Sequence, residues 1–394
     1  MRVPLLDLSE QYRRLAEPIR QQIEEVLATQ RFILGPKVEQ FEAALCEYTG
    51  SKFAIGVSSG TDALLAVLMA LEVGPGDAVI TTPFSFFATA GCIARVGARP
   101  VFVDIEPETF NISPSALRHF IEQRCRTENG ALVTAEGEAV RAIMPVHLYG
   151  LCCDMDPIMQ LAREYNLVVV EDAAQAIGAQ YPQVNAPAIA GTMGHAGCLS
   201  FYPSKNLGAA GDAGAILCRE AELAERLRVG RQHGMEPRYY HQFIGGNFRL
   251  DELQAAILKV KLPYLGEWSA GRRAAADFYR EEFSRLDLGK RVILAPEPYR
   301  DRVPEHHIYH QFVVRVQRRD ELKAHLAAHE VGTEVYYPVP LHLQECFAGL
   351  EYGRGDFPEA ERAAAETLAL PIYPELSREA QRFVVETIAH FYAS

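Results

Sequence analysis

One tryptophan stands in 394 residues, and basic residues are in deficit: 39 lysines and arginines face 51 aspartates and glutamates, a formal net charge of -12. An acidic excess of that size repels phosphodiesters and anionic lipid, so nucleic acid and membrane surfaces are disfavoured as main partners. It leaves room for a local basic pocket that takes a phosphorylated small molecule. Long apolar runs are missing as well. The best candidate, LLAVLMAL, falls far short of the roughly 20 residues that span a bilayer. The opening MRVPLLDLSEQYRRL lacks the basic start, apolar core and small-residue cleavage site of a secretory signal. These absences lead us to expect a cytoplasmic chain with no membrane segment. The 8 cysteines include one adjacent pair, Cys152 and Cys153, but no CxxC spacing. Scattered in this way, they read as free thiols of a reducing compartment. The histidine-rich EHHIYH at 305–310 runs into HQFVVRV, whose alternation is that of a strand. Neighbouring side chains would face opposite ways there, and no metal site is expected.

What is present is ordinary globular composition, 48% hydrophobic and 23% charged, long enough for a large domain and a smaller one. Seven short apolar runs recur, at 53–57, 78–82, 100–104, 142–146, 167–171, 197–201 and 214–218. They are rich in Val and Ile and nearly continuous in hydrophobicity, which marks strands buried on both faces of a largely parallel sheet. The last run follows the sixth too closely for a helical crossover, so an antiparallel strand is expected there. Helical patterns such as GTDALLAVLMALEV and MDPIMQLAREYN lie between the runs. The class is α/β, doubly wound. After about residue 220 helices dominate, followed by the strand YHQFVVRV and a last helix beyond Ser377. We expect a large domain over 1–250, with an N-terminal arm, and a small α+β domain over 251–394. The polar stretch 124–140 reads as an exposed loop.

Ligands of open α/β sheets collect at the carboxyl ends of the strands, and four unusual stretches fall at such ends. VSSGTDALLAVL turns from strand to helix through Ser58, Ser59 and Gly60, a place where free N–H groups and a helix dipole suit a phosphate. The same residues also serve as plain helix caps. LVVVEDAAQAIGA closes a buried strand with Glu171 and Asp172, and a carboxylate there needs a cleft or a positive partner. Asp172 suits a protonated ring nitrogen, or it caps the next helix; Gln175 is a neutral hydrogen-bonding neighbour. LSFYPSKNLGAAGDAG confines Lys205 in a nearly charge-free setting that favours an unprotonated, imine-forming amine. Ser200 and Ser204 add hydroxyls. TTPFSFFATA brings Phe84, Phe86 and Phe87 after the second strand, and one of them could cover a flat ring. An anion cradle, an aromatic plate, a carboxylate for a ring nitrogen and an imine-forming lysine together make the parts list for pyridoxal 5′-phosphate.

With these parts in place, the sequence resembles the pyridoxal-phosphate enzymes of fold type I, with a mostly parallel seven-stranded sheet. More closely it resembles the DegT/DnrJ type of nucleotide-sugar aminotransferase. The likeness runs through RFILGPKVEQFE, VSSGTDAL, TPFSFFATA, PVHLYG, VVVEDAAQAIGA, LSFYPSKNLGAAGDAG, NFRLDELQAAIL and YYPVPLH, in that order. The resemblance implies that Lys205 carries the cofactor as an imine, Asp172 meets the pyridine nitrogen and Gln175 approaches the ring hydroxyl. It implies Gly60, Thr61 and Ser200 around the phosphate and Phe86 stacked on the ring, with Phe87 the alternative. Asn247 would reach the cofactor phosphate of a second subunit, which implies a homodimer with shared active sites. Phe32, Ile33, Arg249, Tyr337 and His342 are implied contacts of the nucleotide-sugar.

One branch of the family has His where the aminotransferases have Lys; Lys205 therefore favours transamination over dehydration. NFRLDELQAAIL resembles the branch acting on 3-keto sugars, with the 4-keto branch as the alternative. The implied reaction moves the amino group of L-glutamate to a UDP- or dTDP-linked keto-sugar, the cofactor cycling through pyridoxamine 5′-phosphate. A non-enzymatic regulator is the rival outside enzymes. The net charge and the lack of a basic helix-turn-helix segment count against it.

Overall fold

The computed structural model describes residues 1–393. The chain starts with two helices, α1 (Ser9–Thr29) and α2 (Pro36–Thr49). Pro36 opens α2 at the position where a missing N–H costs nothing, and Gly50 closes it at φ 72°. The first strand–helix unit follows as β1 (Phe53–Val57) and α3 (Gly60–Ala70). Next come β2 (Asp77–Thr81), α4 (Ala88–Arg95), β3 (Arg99–Phe102) and α5 (Pro114–Arg124). A hairpin of β4 (Cys125–Glu128) and β5 (Ala131–Thr134) leads into β6 (Ala139–Ile143) and α6 (Met155–Glu164). The large body is completed by β7 (Val168–Asp172), the short pair β8 (Gln180–Tyr181) and β9 (Ala188–Ile189), β10 (Ala196–Ser200), β11 (Gly214–Cys218) and α7 (Ala221–Gly230).

The main path of the sheet has seven strands in the order β1-β11-β10-β7-β6-β2-β3. β11 is antiparallel to both neighbours, and the remaining pairs on the path are parallel. All seven apolar runs are strands, and the antiparallel one is the run that had no room for a crossover helix. The expected loop over 124–140 is corrected: it holds the β4–β5 hairpin, and β5 joins the sheet beside β6. Its turn is Asn129-Gly130, both at positive φ, a two-residue signal for a tight hairpin. Polar outward residues on this edge masked the strand character.

Apolar side chains cover both faces. One layer packs α2, α5, α6 and the later helix α8 (Glu252–Lys261) on the sheet through Phe41, Leu45, Leu117, Ile158 and Leu258. The opposite layer uses Leu64, Leu68, Ile93 and Leu227 of α3, α4 and α7. The chain continues with α9 (Leu265–Arg285), β12 (Val292–Leu294), β13 (Phe312–Val316), α10 (Arg319–Ala328), α11 (Pro358–Glu366), β14 (Thr367–Leu370) and α12 (Arg378–Ala393). β12, β13 and β14 form a separate antiparallel sheet. Its core takes Tyr279 of α9, Leu322 of α10 and Val385 of α12. Packing does not break at residue 250, since α8 lies against α1 and α2. At the other end of the chain, Val3 bridges to Val331 and joins the small core. No helix among the described residues is long and apolar enough to cross a membrane.

Candidate active site

The carboxyl ends of β7 and β10 stand side by side, with Cys198 opposite Asp172, and β10 sets Ser200 opposite Gly214 of β11. The turn from β1 into α3 closes over this edge. Ser59 caps the helix, its Oγ accepting the Asp62 N–H at 3.0 Å. Ser58 Oγ donates to Asp62 at 2.5 Å. The Ala63 N–H reaches Ser59 O at 3.0 Å, which leaves the N–H groups of Gly60 and Thr61 without intrahelical partners. A β-carbon on Gly60 would stand 2.7 Å from Ser200 Cβ, and one on Gly214 would stand 2.4 Å from Ser59 O. Glycine serves close approach here. The outcome is a cradle of N–H groups and hydroxyls at a positive helix end, fit for a phosphate.

Asp172 is buried. Thr89 Oγ1 donates to its Oδ2 at 2.8 Å, and the Ala174 N–H donates to its Oδ1 at 3.2 Å. Thr89 has a single proton to give, so Ser85, at 2.9 Å, is the donor to Thr89. Burial pushes the Asp172 carboxyl pKa up; the Thr89 and Ala174 bonds and the charge of Lys205 pull against it. A carboxylate so enclosed lacks a cation in hydrogen-bond reach, which a protonated ring nitrogen would supply.

Lys205 lies in the turn after β10, its N–H bonded to Tyr202 O at 2.8 Å. Burial lowers its amine pKa to about 8, while the charge of Asp172 acts to raise it. Roughly a tenth of such an amine is unprotonated at pH 7, against less than a thousandth for an ordinary lysine. Gln175 spans two segments: its Oε1 accepts the Tyr149 N–H at 2.7 Å, and its Nε2 donates to Tyr337 Oη at 3.0 Å. Phe86 and Phe87 part company. Phe87 stacks on Phe347 at 5.6 Å and presses on Gly91. Both are exposed, and Phe86 lies 6.1 Å from the Tyr337 ring.

A pocket of about 300 Å³ adjoins the phosphate turn and is lined by Ile33, Ser58, Asp212, Asn247, Arg249 and Asp251 among others. Its walls are tied by backbone: Ser58 N–H to Phe248 O at 3.0 Å, Val57 bridged to Arg249 and Ile33 bridged to Asp251. Arg249 Nε is buried without a hydrogen-bond partner. Phe32 and Ile33 are exposed at the rim. Sequence reasoning missed what holds them. Glu252, buried at the start of α8, accepts the N–H groups of Gly35, Lys37 and Val38 at 2.8, 3.0 and 2.8 Å. Its own N–H donates to Phe32 O at 3.0 Å.

The structure departs from the expected set at His342. That side chain is buried, 3.2 Å from Glu361 and edge-on to Phe357. The 305–310 histidines are also buried. His306 bonds Glu297 at 2.9 Å, His307 stacks on Tyr309 at 3.8 Å and His310 lies 3.2 Å from Asn206. Among the described residues no group of three or more His, Cys, Asp or Glu is arranged to hold a metal. Thr89 was also missed, for it lies 83 residues from the carboxylate it serves. No local pattern links the two.

A nine-stranded mixed sheet whose seven-strand main path is mostly parallel, a phosphate cradle, a buried carboxylate and a partly buried lysine define a pyridoxal-phosphate enzyme of fold type I. The chain belongs to the DegT/DnrJ/EryC1/StrS aminotransferase family, whose model matches residues 13–389. It is similar to the pleiotropic regulatory protein of Geobacillus stearothermophilus, 49% identical over all of this chain and 99% of that one. It is similar to the UDP-N-acetyl-3-dehydro-alpha-D-glucosamine 3-aminotransferase of Acidithiobacillus ferrooxidans, 41% identical over 96% of this chain and 94% of that one. Among solved structures it resembles NtdA of Bacillus subtilis with bound cofactor PMP. The TM-score is 0.86 at 32% identity, covering all of this chain and 86% of that one. The cofactor is pyridoxal phosphate, in its aldehyde and amine forms, and the protein is an aminotransferase.

Proposed function

We propose that this enzyme transfers the amino group of L-glutamate to a nucleotide-linked 3-keto hexose, on UDP or dTDP, as a cytoplasmic homodimer. The convergence of Lys205, Asp172 and the Gly60 turn at neighbouring strand ends carries the reading. The 3-aminotransferase name of a relative 41% identical supports the keto position. Bound pyridoxal phosphate supplies an aldehyde carbon that takes up the amino group and a ring that absorbs electrons.

The residues have separable tasks. Gly60, Thr61 and Ser200 hold the phosphate. Asp172 keeps a proton on the ring nitrogen, and Thr89 and Ala174 fix the direction of its lone pairs. Gln175 would stand by the ring hydroxyl and Phe86 would cover the ring. Lys205 would take the proton from the α-carbon of the donor and deliver it two bonds away, across the nitrogen, to the former aldehyde carbon, which its amine can do near neutral pH. The reverse transfer serves the keto-sugar. Asn247 reaches the cofactor phosphate of a second subunit. Phe32, Ile33, Arg249 and Tyr337 contact the nucleotide-sugar, with the unpartnered Arg249 Nε facing an acceptor.

Mass spectrometry of a panel of UDP- and dTDP-keto-sugars incubated with enzyme and glutamate tests this. The expected result is conversion of a 3-keto sugar to its amine with release of 2-oxoglutarate. Conversion confined to a 4-keto sugar moves the keto position. Water loss without 2-oxoglutarate makes the protein a dehydratase. A regulatory role is the second reading, favoured by the name of the relative 49% identical. It would act beside the transferase chemistry, and binding of the holoenzyme to a regulatory target with catalysis abolished in Lys205→Ala would support it.

A further inference from the structure

Behind Lys205 lies a chain of three buried polar side chains that the transfer steps leave unused. Asn206, the next residue, points inward. Its Nδ2 donates to Ile308 O at 2.9 Å, so the amide oxygen faces His310, 3.2 Å away. An amide oxygen only accepts. His310 therefore carries its proton on Nδ1 and donates it to Asn206. The backbone carbonyl of His310 accepts in turn from Arg272, whose Nη1 also reaches Tyr309 O and Ile372 O, at 3.3, 3.0 and 3.0 Å.

Arg272 is an unusual occupant of this place. It is 2% exposed and makes no ion pair among the described residues. Three backbone carbonyls, from two separate segments, share the protons of its Nη1, and its buried Nε has no partner among the described residues. Removal of water lowers its pKa to about 10, with Glu375 as the opposing charge. Burial, Lys205 and Arg272 all act against a charge on His310, which agrees with the neutral Nδ1–H form set by the Asn206 bond. A buried arginine with only carbonyl partners costs desolvation that a hydrocarbon would not. Its visible effect is geometric: it clamps 309–310 to α9 and to the segment that follows β14. That segment grips Asn206, and Asn206 is covalently next to Lys205.

We propose that Asn206 and His310, clamped by Arg272, are positioning residues for Lys205, setting the direction from which its amine meets the atoms it serves. Among the described residues their side-chain hydrogen bonds go to each other and to Ile308 O, not to the Lys205 amine, so the expected effect is on the rates of proton movement and of cofactor capture and not on substrate affinity. The inference rests on Lys205 being the lysine that holds the cofactor.

The test compares His310→Gln, which keeps a donor for Asn206, with His310→Leu, and adds Asn206→Ala. Two rates are read. One is the condensation of apoenzyme with added pyridoxal 5′-phosphate, in which the Lys205 amine forms one C=N bond and one water leaves, followed by absorbance. The other is the single-turnover rate with glutamate. Misplacement of about 1 Å costs about 10²-fold in such steps. His310→Leu and Asn206→Ala should lose between about 10- and 100-fold in both rates. The glutamate Kd should stay within about twofold, and His310→Gln should recover most of the loss. Equal rates in His310→Gln and His310→Leu, or a lowered Tm with both rates intact, would overturn the proposal and leave the chain purely structural. If Asn206→Ala does not fold, the pair at 310 still decides. Borohydride reduction of wild-type holoenzyme and peptide mapping separates the two levels. Cofactor mass on a lysine other than Lys205 sinks the function reading itself.

Discussion

Gly60 and Ser200 lie so close that a β-carbon on the glycine would stand 2.7 Å from Ser200 Cβ. The contact joins a helix start to a strand end, and the cofactor phosphate is proposed to sit across the joint. Gly60→Ala must push the two apart, and overpacking of this kind costs about 1–3 kcal/mol. A tenfold or larger rise in cofactor Kd is expected, since 1.4 kcal/mol is about tenfold. Absorbance titration of the apoprotein measures it, and an unchanged Kd takes this turn out of phosphate binding.

Lys205→Ala should cost about 10²–10⁴-fold in both half-reactions, the range for loss of a general acid–base group. The apoenzyme offers a second check. Only the unprotonated amine captures the aldehyde, and burial lowers the Lys205 pKa to about 8. The capture rate should therefore climb with pH and level off above about 8. A rate still rising at pH 10 shows an ordinary lysine.

Asp172→Asn should slow transamination by about 10²–10³-fold, because the ring nitrogen loses its counter-charge. Thr89→Val tests the support behind it. The Thr89 hydroxyl holds the Asp172 pKa down against burial, so its loss moves that pKa further up. The ionised carboxylate is lost as pH falls through the pKa. The acid-side weakening of cofactor binding should therefore begin at higher pH in the variant. An unmoved or lower midpoint would falsify the role of Thr89.

Glu252→Ala leaves three N–H groups without their acceptor at the start of α2. A buried loss of that kind costs about 3 kcal/mol. We expect a lowered Tm and, because Phe32 and Ile33 ride on the same loop, weaker nucleotide-sugar binding than cofactor binding. Equal weakening of both assigns Glu252 to general stability alone.

Much of this arrangement is legible in the chain itself. Buried parallel strands must be apolar throughout, which is why the seven runs stand out. An anion cradle needs Ser, Gly and Thr at a strand-to-helix turn, and these stand together in VSSGTDAL. The 125–134 hairpin escaped because an edge strand shows polar residues to water, even with Asn129-Gly130 marking its turn. A histidine in a loop reads alike whether or not it is buried, so the contact of His342 with Glu361 was not legible in the sequence.

Local order along the chain determined the strands, the helix that follows β1, and the places where Lys205, Asp172 and Gly60 interrupt apolar text. Periodicity and turn chemistry act over a few residues, and a sequence displays them directly. Only the tertiary structure decided that Thr89 serves Asp172, that Glu252 holds the Phe32 loop, that Phe87 stacks on Phe347 while Phe86 lies by Tyr337, and that Asn206 is gripped from the 308–310 segment. Those pairings join residues far apart in the chain. They depend on strand order and on the way two sheets meet, which no local pattern encodes.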